Sequence, residues 1–118
     1  MAYAVLLVDD EPSLRRALAW ALKDEGYIVH EADDGRAALL ILERSPVDLI
    51  ITDLTMPNLD GRGFLAELER RHITTPVIVM SATLLGNLDG NAAATLPKPF
   101  DLDLLIRTIE RVIEDASP

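Results

Sequence analysis

Cysteine is absent from the 118 residues, which excludes disulfides, thiolate metal sites and cysteine nucleophiles. Histidine is nearly absent. His30 and His72 are the only two, and they fall in different expected elements. Zinc sites usually need three or four clustered ligands, so neither metal ligation nor a histidine-based triad is expected of them. No G-x-x-x-x-G-K-[ST] pattern occurs, so P-loop nucleotide hydrolysis is excluded. No apolar run approaches the ~20 residues that cross a bilayer, so an integral membrane protein is not expected. The opening residues MAYAVLLVDD have no basic start and no cleavage site, so no secretory signal is expected and the chain reads as cytoplasmic. Bases are the scarcer charge, 11 against 20 acids, for a net charge of −9. That balance repels nucleic-acid phosphates, and direct binding to DNA by this domain is not expected.

What remains is an ordinary globular composition, 49% hydrophobic and 26% charged, long enough for one domain over 1–118. Short apolar runs alternate with helical stripes. Tyr3–Val8 suits a strand buried on both faces. Pro12 opens a helix whose stripe is Leu14, Ala17, Leu18, Ala21 and Leu22, and Gly26 ends it. Trp20 lies off that stripe and is expected to be half exposed. Tyr27–Ala32 reads as a second strand, Gly35–Arg44 as a helix closed by Pro46, and Asp48–Thr52 as a third strand. Asp60 and Gly61 open a helix with Phe64, Leu65 and Leu68 on its apolar face. Arg70, Arg71 and His72 crowd its last turn, where cations suit the helix dipole. Pro76–Met80 is a fourth strand and Ala92–Leu96 a weaker fifth. Asp101 caps a last helix carrying Leu102, Leu105, Ile109, Val112 and Ile113. This alternation predicts a parallel α/β sheet with helices on both faces. Between the last two strands, Gly86, Asn87, Gly90 and Asn91 make a poor helix, so at most a short, mobile one is expected there.

In such sheets ligands bind beyond the carboxyl ends of the strands, where strand order reverses. Asp9 and Asp10 follow the first strand and Asp53 the third. If those strands are neighbours, three carboxylates converge, and each pair about 4 Å apart repels by roughly 4 kcal/mol at an effective dielectric of 20. A cation or a proton would relieve this, and oxygen-only ligation suits Mg²⁺. The competing reading has Asp9–Glu11 simply capping the first helix. Ser81 and Lys98, the latter stiffened by Pro97 and Pro99, follow the fourth and fifth strands and bring a hydroxyl and an ammonium to the same edge.

Together VDDEP at 8–12, DLTMPNLDG at 53–61, SA at 81–82 and KPF at 98–100 resemble the receiver domain of bacterial two-component response regulators. The resemblance implies a doubly wound, flavodoxin-like sheet of order 2-1-3-4-5. It implies that Asp53 accepts a phosphoryl group from a phosphohistidine of a sensor histidine kinase or phosphotransfer protein. It implies Mg²⁺, with Mn²⁺ as a substitute, held by Asp10, Asp53 and the backbone carbonyl of Thr55, with Asp9 acting partly through water. Lys98 would pair with a phosphoryl oxygen, and Ser81 would move inward to bond another as the switch hydroxyl. The domain would act as a switch rather than a turnover enzyme, for an output domain or partner that the sequence does not name, with dimerisation left open.

The chain departs from the family at Thr95, where receivers commonly have Tyr or Phe, and in the shortened segment after Ser81. Two rivals remain. An aspartate-nucleophile phosphatase of the haloacid-dehalogenase type would want a second Asp where Thr55 stands. A receiver-like interaction module would transfer no phosphate.

Overall fold

The computed structural model describes residues 2–54, 60–81, 92–98 and 101–116. In chain order its elements are β1 (Ala4–Val8), α1 (Pro12–Asp24), β2 (Ile28–Ala32), α2 (Gly35–Arg44), β3 (Leu49–Asp53), α3 (Gly61–Arg70), β4 (Val77–Ser81), β5 (Ala92–Pro97) and α4 (Leu102–Ala116). The five strands form one sheet of order β2-β1-β3-β4-β5, and every neighbouring pair is parallel. This is the flavodoxin-like order expected. The short helix expected after Ser81 lies outside the described residues.

The central strands are apolar on both faces because helices cover both. On one side Val5, Leu7, Leu49, Ile51, Ile78 and Met80 pack against Leu18 and Leu22 of α1 and Leu105, Ile109 and Val112 of α4. On the other, Leu6, Val8, Ile50, Val77 and Val79 pack against Ala38 and Leu39 of α2 and Phe64, Leu65 and Leu68 of α3. Neighbouring residues of a strand point to opposite faces, so each run feeds two cores at once. Truncating a buried Ile51 or Phe64 to Ala would cost about 2–5 kcal/mol.

The helix ends follow local chemistry. Asp34, Asp60 and Asp101 each accept a bond from the backbone N–H three residues on, at 2.8, 2.9 and 2.7 Å. These bonds satisfy donors that the first turn leaves unpaired. Gly26, at φ +98°, closes α1 with a reversed turn. At the end of α3 the corresponding left-handed position is held by His72 (φ 58°), whose N–H donates to Glu69 while that of Ile73 donates to Leu68. His72 therefore lies beyond the helix rather than in its last turn. Trp20 is 71% exposed, more than its offset from the stripe suggests.

Three strands run one residue further toward their carboxyl ends than the apolar pattern indicates. Asp53 pairs with Met80 and Ser81 with Pro97, so both polar residues close their strands from within.

Candidate functional site

Strand order reverses between β1 and β3, since β1 carries β2 on its other side. Val8 lies opposite Thr52 in the register, which brings the next residues, Asp9 and Asp53, side by side at the sheet's edge. Ligand oxygens of Asp9, Asp10 and Asp53 all lie within 4.8 Å of one another. Lys98 reaches in from the end of β5, its Nζ 3.4 Å from Asp53 Oδ2 and 3.6 Å from Asp9 Oδ2. Its backbone N–H donates to the Ser81 carbonyl at 2.6 Å, tying it to the end of β4, where Ser81 itself is buried. Asp9, Asp10, Asp53, Ser81 and Lys98 thus occupy one end of the sheet, as their positions after the apolar runs predicted. Thr55 lies outside the described residues, as does Thr83.

Asp9 is fully buried and does two things. Its Oδ1 accepts from the Glu11 N–H at 2.9 Å, bracing the turn into α1. Its Oδ2 is buried without a hydrogen-bond partner. The helix-start reading and the ligand reading therefore apply to different oxygens of one carboxylate. Glu11, the residue before α1, makes no side-chain cap of its own.

At an effective dielectric of 20, two carboxylate charges 4.8 Å apart repel by about 3.5 kcal/mol. Of the three clustered carboxylates, Asp9 and Asp53 share the ammonium of Lys98. Burial pushes the Asp53 carboxyl above its ordinary range; Lys98 pulls it down, and Asp9 pushes it up again. This imbalance is the electrostatic condition under which a divalent cation is drawn in. The donor set fits Mg²⁺: all oxygen, one of them buried and unbonded, on a cluster with an exposed member in Asp10.

Two residues that the sequence alone did not single out hold this edge together. Gly61, the first residue of α3, donates its N–H to the Leu54 carbonyl at 2.7 Å. A Cβ there would stand 2.6 Å from the Asp53 carbonyl oxygen and 2.6 Å from Leu54 Cα, so only glycine lets α3 approach the acid-bearing strand end so closely. Arg15 on α1 donates to the Asp9 carbonyl at 2.9 Å and to Glu31 at 3.2 Å. The Asp60–Gly61 pair at a helix start hinted at the first. Nothing local marked the second.

A doubly wound sheet with three acids and a lysine at its switch point defines the class: a parallel α/β domain that gathers carboxylates and an ammonium at one edge. The chain belongs to the response regulator receiver domain family, whose model matches residues 5–110. It is 38% identical over 121 residues to the transcriptional regulatory protein GlrR of Escherichia coli (strain K12), covering 97% of this chain and 27% of that protein. The chain thus spans about a quarter of that relative's length. The structure of the chemotaxis response regulator CheY4 of Vibrio cholerae has a TM-score of 0.86 at 31% identity, over 95% of this chain and 99% of that one. The response regulator TrrA of Thermotoga maritima, solved in complex with Mg(2+)-BeF, has a TM-score of 0.84 at 29% identity, over 95% of this chain and 99% of that one. No helix among the described residues is long and apolar enough to cross a membrane.

Proposed function

We propose that this domain is a Mg²⁺-dependent phosphoacceptor of a two-component relay, with Asp53 as the acceptor. The observation that carries the reading is the convergence of Asp53 with Asp9, Asp10 and Lys98 at the sheet's switch point. An Asp53 carboxylate oxygen attacks phosphorus in a phosphohistidine of a sensor histidine kinase or phosphotransfer protein. The P–O bond to Asp53 forms as the P–N bond to imidazole breaks, and the imidazole departs with the electron pair. Asp9, Asp10, Asp53 and the Thr55 backbone carbonyl would hold the cation, Mg²⁺ or Mn²⁺. When bound, it offsets the carboxylate charge and that of the transferring phosphoryl group.

Lys98 already faces Asp53 and stands ready to pair with a phosphoryl oxygen. Ser81, at the end of the adjacent strand, offers a hydroxyl to another, and its movement toward the added charge would switch the surface around β4 and β5. The domain turns over no free substrate. It works in the cytoplasm, as a unit that reports to an output domain or partner, without contacting nucleic acid itself. Mg(2+)-BeF in the TrrA complex pairs the cation with a small fluoride-bearing group on the same fold, which supports this reading.

The test is intact-mass spectrometry after incubation with acetyl phosphate, with and without Mg²⁺, beside Asp53→Asn. One added phosphoryl group that needs Mg²⁺ and is lost in the variant is the expected result. No gain from acetyl phosphate or from a panel of phosphorylated kinases would overturn it and leave a module that binds partners by shape.

A further inference from the structure

The turn between β1 and α1 carries two of the three acids, and one largely buried side chain holds its backbone. Arg15 has a side chain only 14% exposed. Its Nη1 donates to the Asp9 carbonyl at 2.9 Å and its Nε to Glu31 Oε1 at 3.2 Å. Glu31 sits next to the last residue of β2, so the guanidinium ties α1 and β2 to the exit of β1. Asp9 is then gripped on every polar atom but one. Its N–H donates to the Ala32 carbonyl at 3.1 Å, its carbonyl accepts from Arg15, and its Oδ1 accepts from the Glu11 N–H. The atom left over is Oδ2, which lies toward Lys98. The carbonyl that Arg15 grips belongs to the peptide joining Asp9 to Asp10, so the same bond sets the direction in which Asp10 leaves the strand.

We propose that Arg15 is a positioning residue for the divalent-cation site, fixing the Asp9–Asp10 peptide so that both carboxylates converge with Asp53. The inference rests on the cation-binding reading given above. Arginine suits the task because its donors lie in one rigid plane and reach a carbonyl and a carboxylate together; lysine, a point charge on a flexible stem, does not reproduce that fork. Partners behind the ligands typically contribute 10–100-fold to metal affinity. The field of the guanidinium acts in the opposite sense, since a positive charge beside a cation site weakens binding. Geometry and charge therefore predict opposite outcomes when Arg15 is replaced.

The experiment is an NMR titration of the whole chain with Mg²⁺ and, separately, Ca²⁺, comparing wild type with Arg15→Lys and Arg15→Gln. Both variants are expected to keep dispersed spectra and to bind Mg²⁺ at least about 10-fold more weakly. Calcium, which tolerates irregular coordination, should change by less than about 3-fold. Wild-type Mg²⁺ affinity in Arg15→Lys, tighter Mg²⁺ binding in Arg15→Gln, or equal loss of both ions would overturn the inference. Should neither Arg15 variant fold, Glu31→Ala decides: weakened Mg²⁺ binding with Ca²⁺ spared supports the clamp, and unchanged Mg²⁺ binding refutes it. Failure of wild type to bind Mg²⁺ would remove the proposed function as well. Wild-type binding with indifferent variants removes only the role of Arg15.

Discussion

Replacing Gly61 with Ala tests how closely α3 must approach the acceptor strand. The new Cβ would stand 2.6 Å from both the Asp53 carbonyl oxygen and Leu54 Cα, where ordinary contact begins at 3.4 Å, so the backbone must give by about 0.8 Å. All the atoms it meets are backbone atoms, and no side chain can rotate away. Overpacking of this kind costs about 1–3 kcal/mol. The Gly61–Leu54 hydrogen bond, 2.7 Å long, would stretch or break at a further cost of about 1 kcal/mol. Better helix propensity returns at most about 1 kcal/mol, leaving a net loss of about 1–3 kcal/mol. At a urea m-value near 2 kcal/mol/M that is a midpoint lower by about 0.5–1.5 M. Because the displaced atoms include the carbonyl of Asp53, the initial rate of phosphorylation by acetyl phosphate should fall too. Gly26→Ala is the control: its φ of +98° strains alanine, but nothing lies within 4 Å of the added carbon. It should lose about 1 kcal/mol and phosphorylate at the wild-type rate. A Gly61→Ala protein with an unchanged midpoint and an unchanged rate would refute the close-approach argument.

Further consequences follow from the same corner and from one helix end. The raised pKa of Asp53 means that its ionisation opposes folding. The stability of the protonated form is intact below the ordinary value of 3.8 and is lost as pH rises through the higher folded value. Asp53→Asn should therefore unfold at higher urea than wild type at pH 7 in EDTA, by less than the about 3.5 kcal/mol of one carboxylate pair. The difference should vanish near pH 3.5, and an equal difference at both pH values would contradict it. Mg²⁺ at 100 times its dissociation constant should stabilise the wild type by about 2.7 kcal/mol, read as a thermal shift that Asp10→Asn largely abolishes. His72→Gly, at φ 58°, should add about 1 kcal/mol in urea unfolding by relieving left-handed strain, whereas destabilisation would show that the imidazole makes a compensating contact.

Much of the fold is legible because each run of apolar residues reports its own burial. Leu49–Ile51 reads as a strand covered on both faces, and Leu105, Ile109 and Val112 read as one side of a helix. Strand ends are less legible, since backbone pairing is indifferent to side-chain polarity. The ladder carries Asp53 and Ser81 although the apolar pattern stops one residue earlier. The fifth strand reads weakly because Ala92–Pro97 is built of small residues at the sheet's edge. It is held by pairing with β4, across an irregularity between Val77 and Ile78. The left-handed close of α3 could not be foreseen, because His72 carries none of the signal that Gly26 does.

The candidate site divides along the same line. Asp9, Asp10, Asp53, Ser81 and Lys98 were visible because a polar group directly after an apolar run marks the rim of a parallel sheet, and rims near one another add their signals. The roles of Gly61 and Arg15 at this edge were not, because each meets the acid-bearing strand ends through a backbone carbonyl, and carbonyls have no identity in a sequence. Arg15 stands beside the exposed Arg16 and reads like another solvated helix cation until the fold brings Asp9 beneath it. Asp9 shows why the two readings of the turn could not be separated by spacing. A carboxylate has two oxygens, and here Oδ1 secures the start of α1 while Oδ2 is buried without a hydrogen-bond partner, 3.6 Å from the Lys98 ammonium. Bracing the turn and serving the acidic corner are thus one arrangement, in which fixing the first oxygen aims the second.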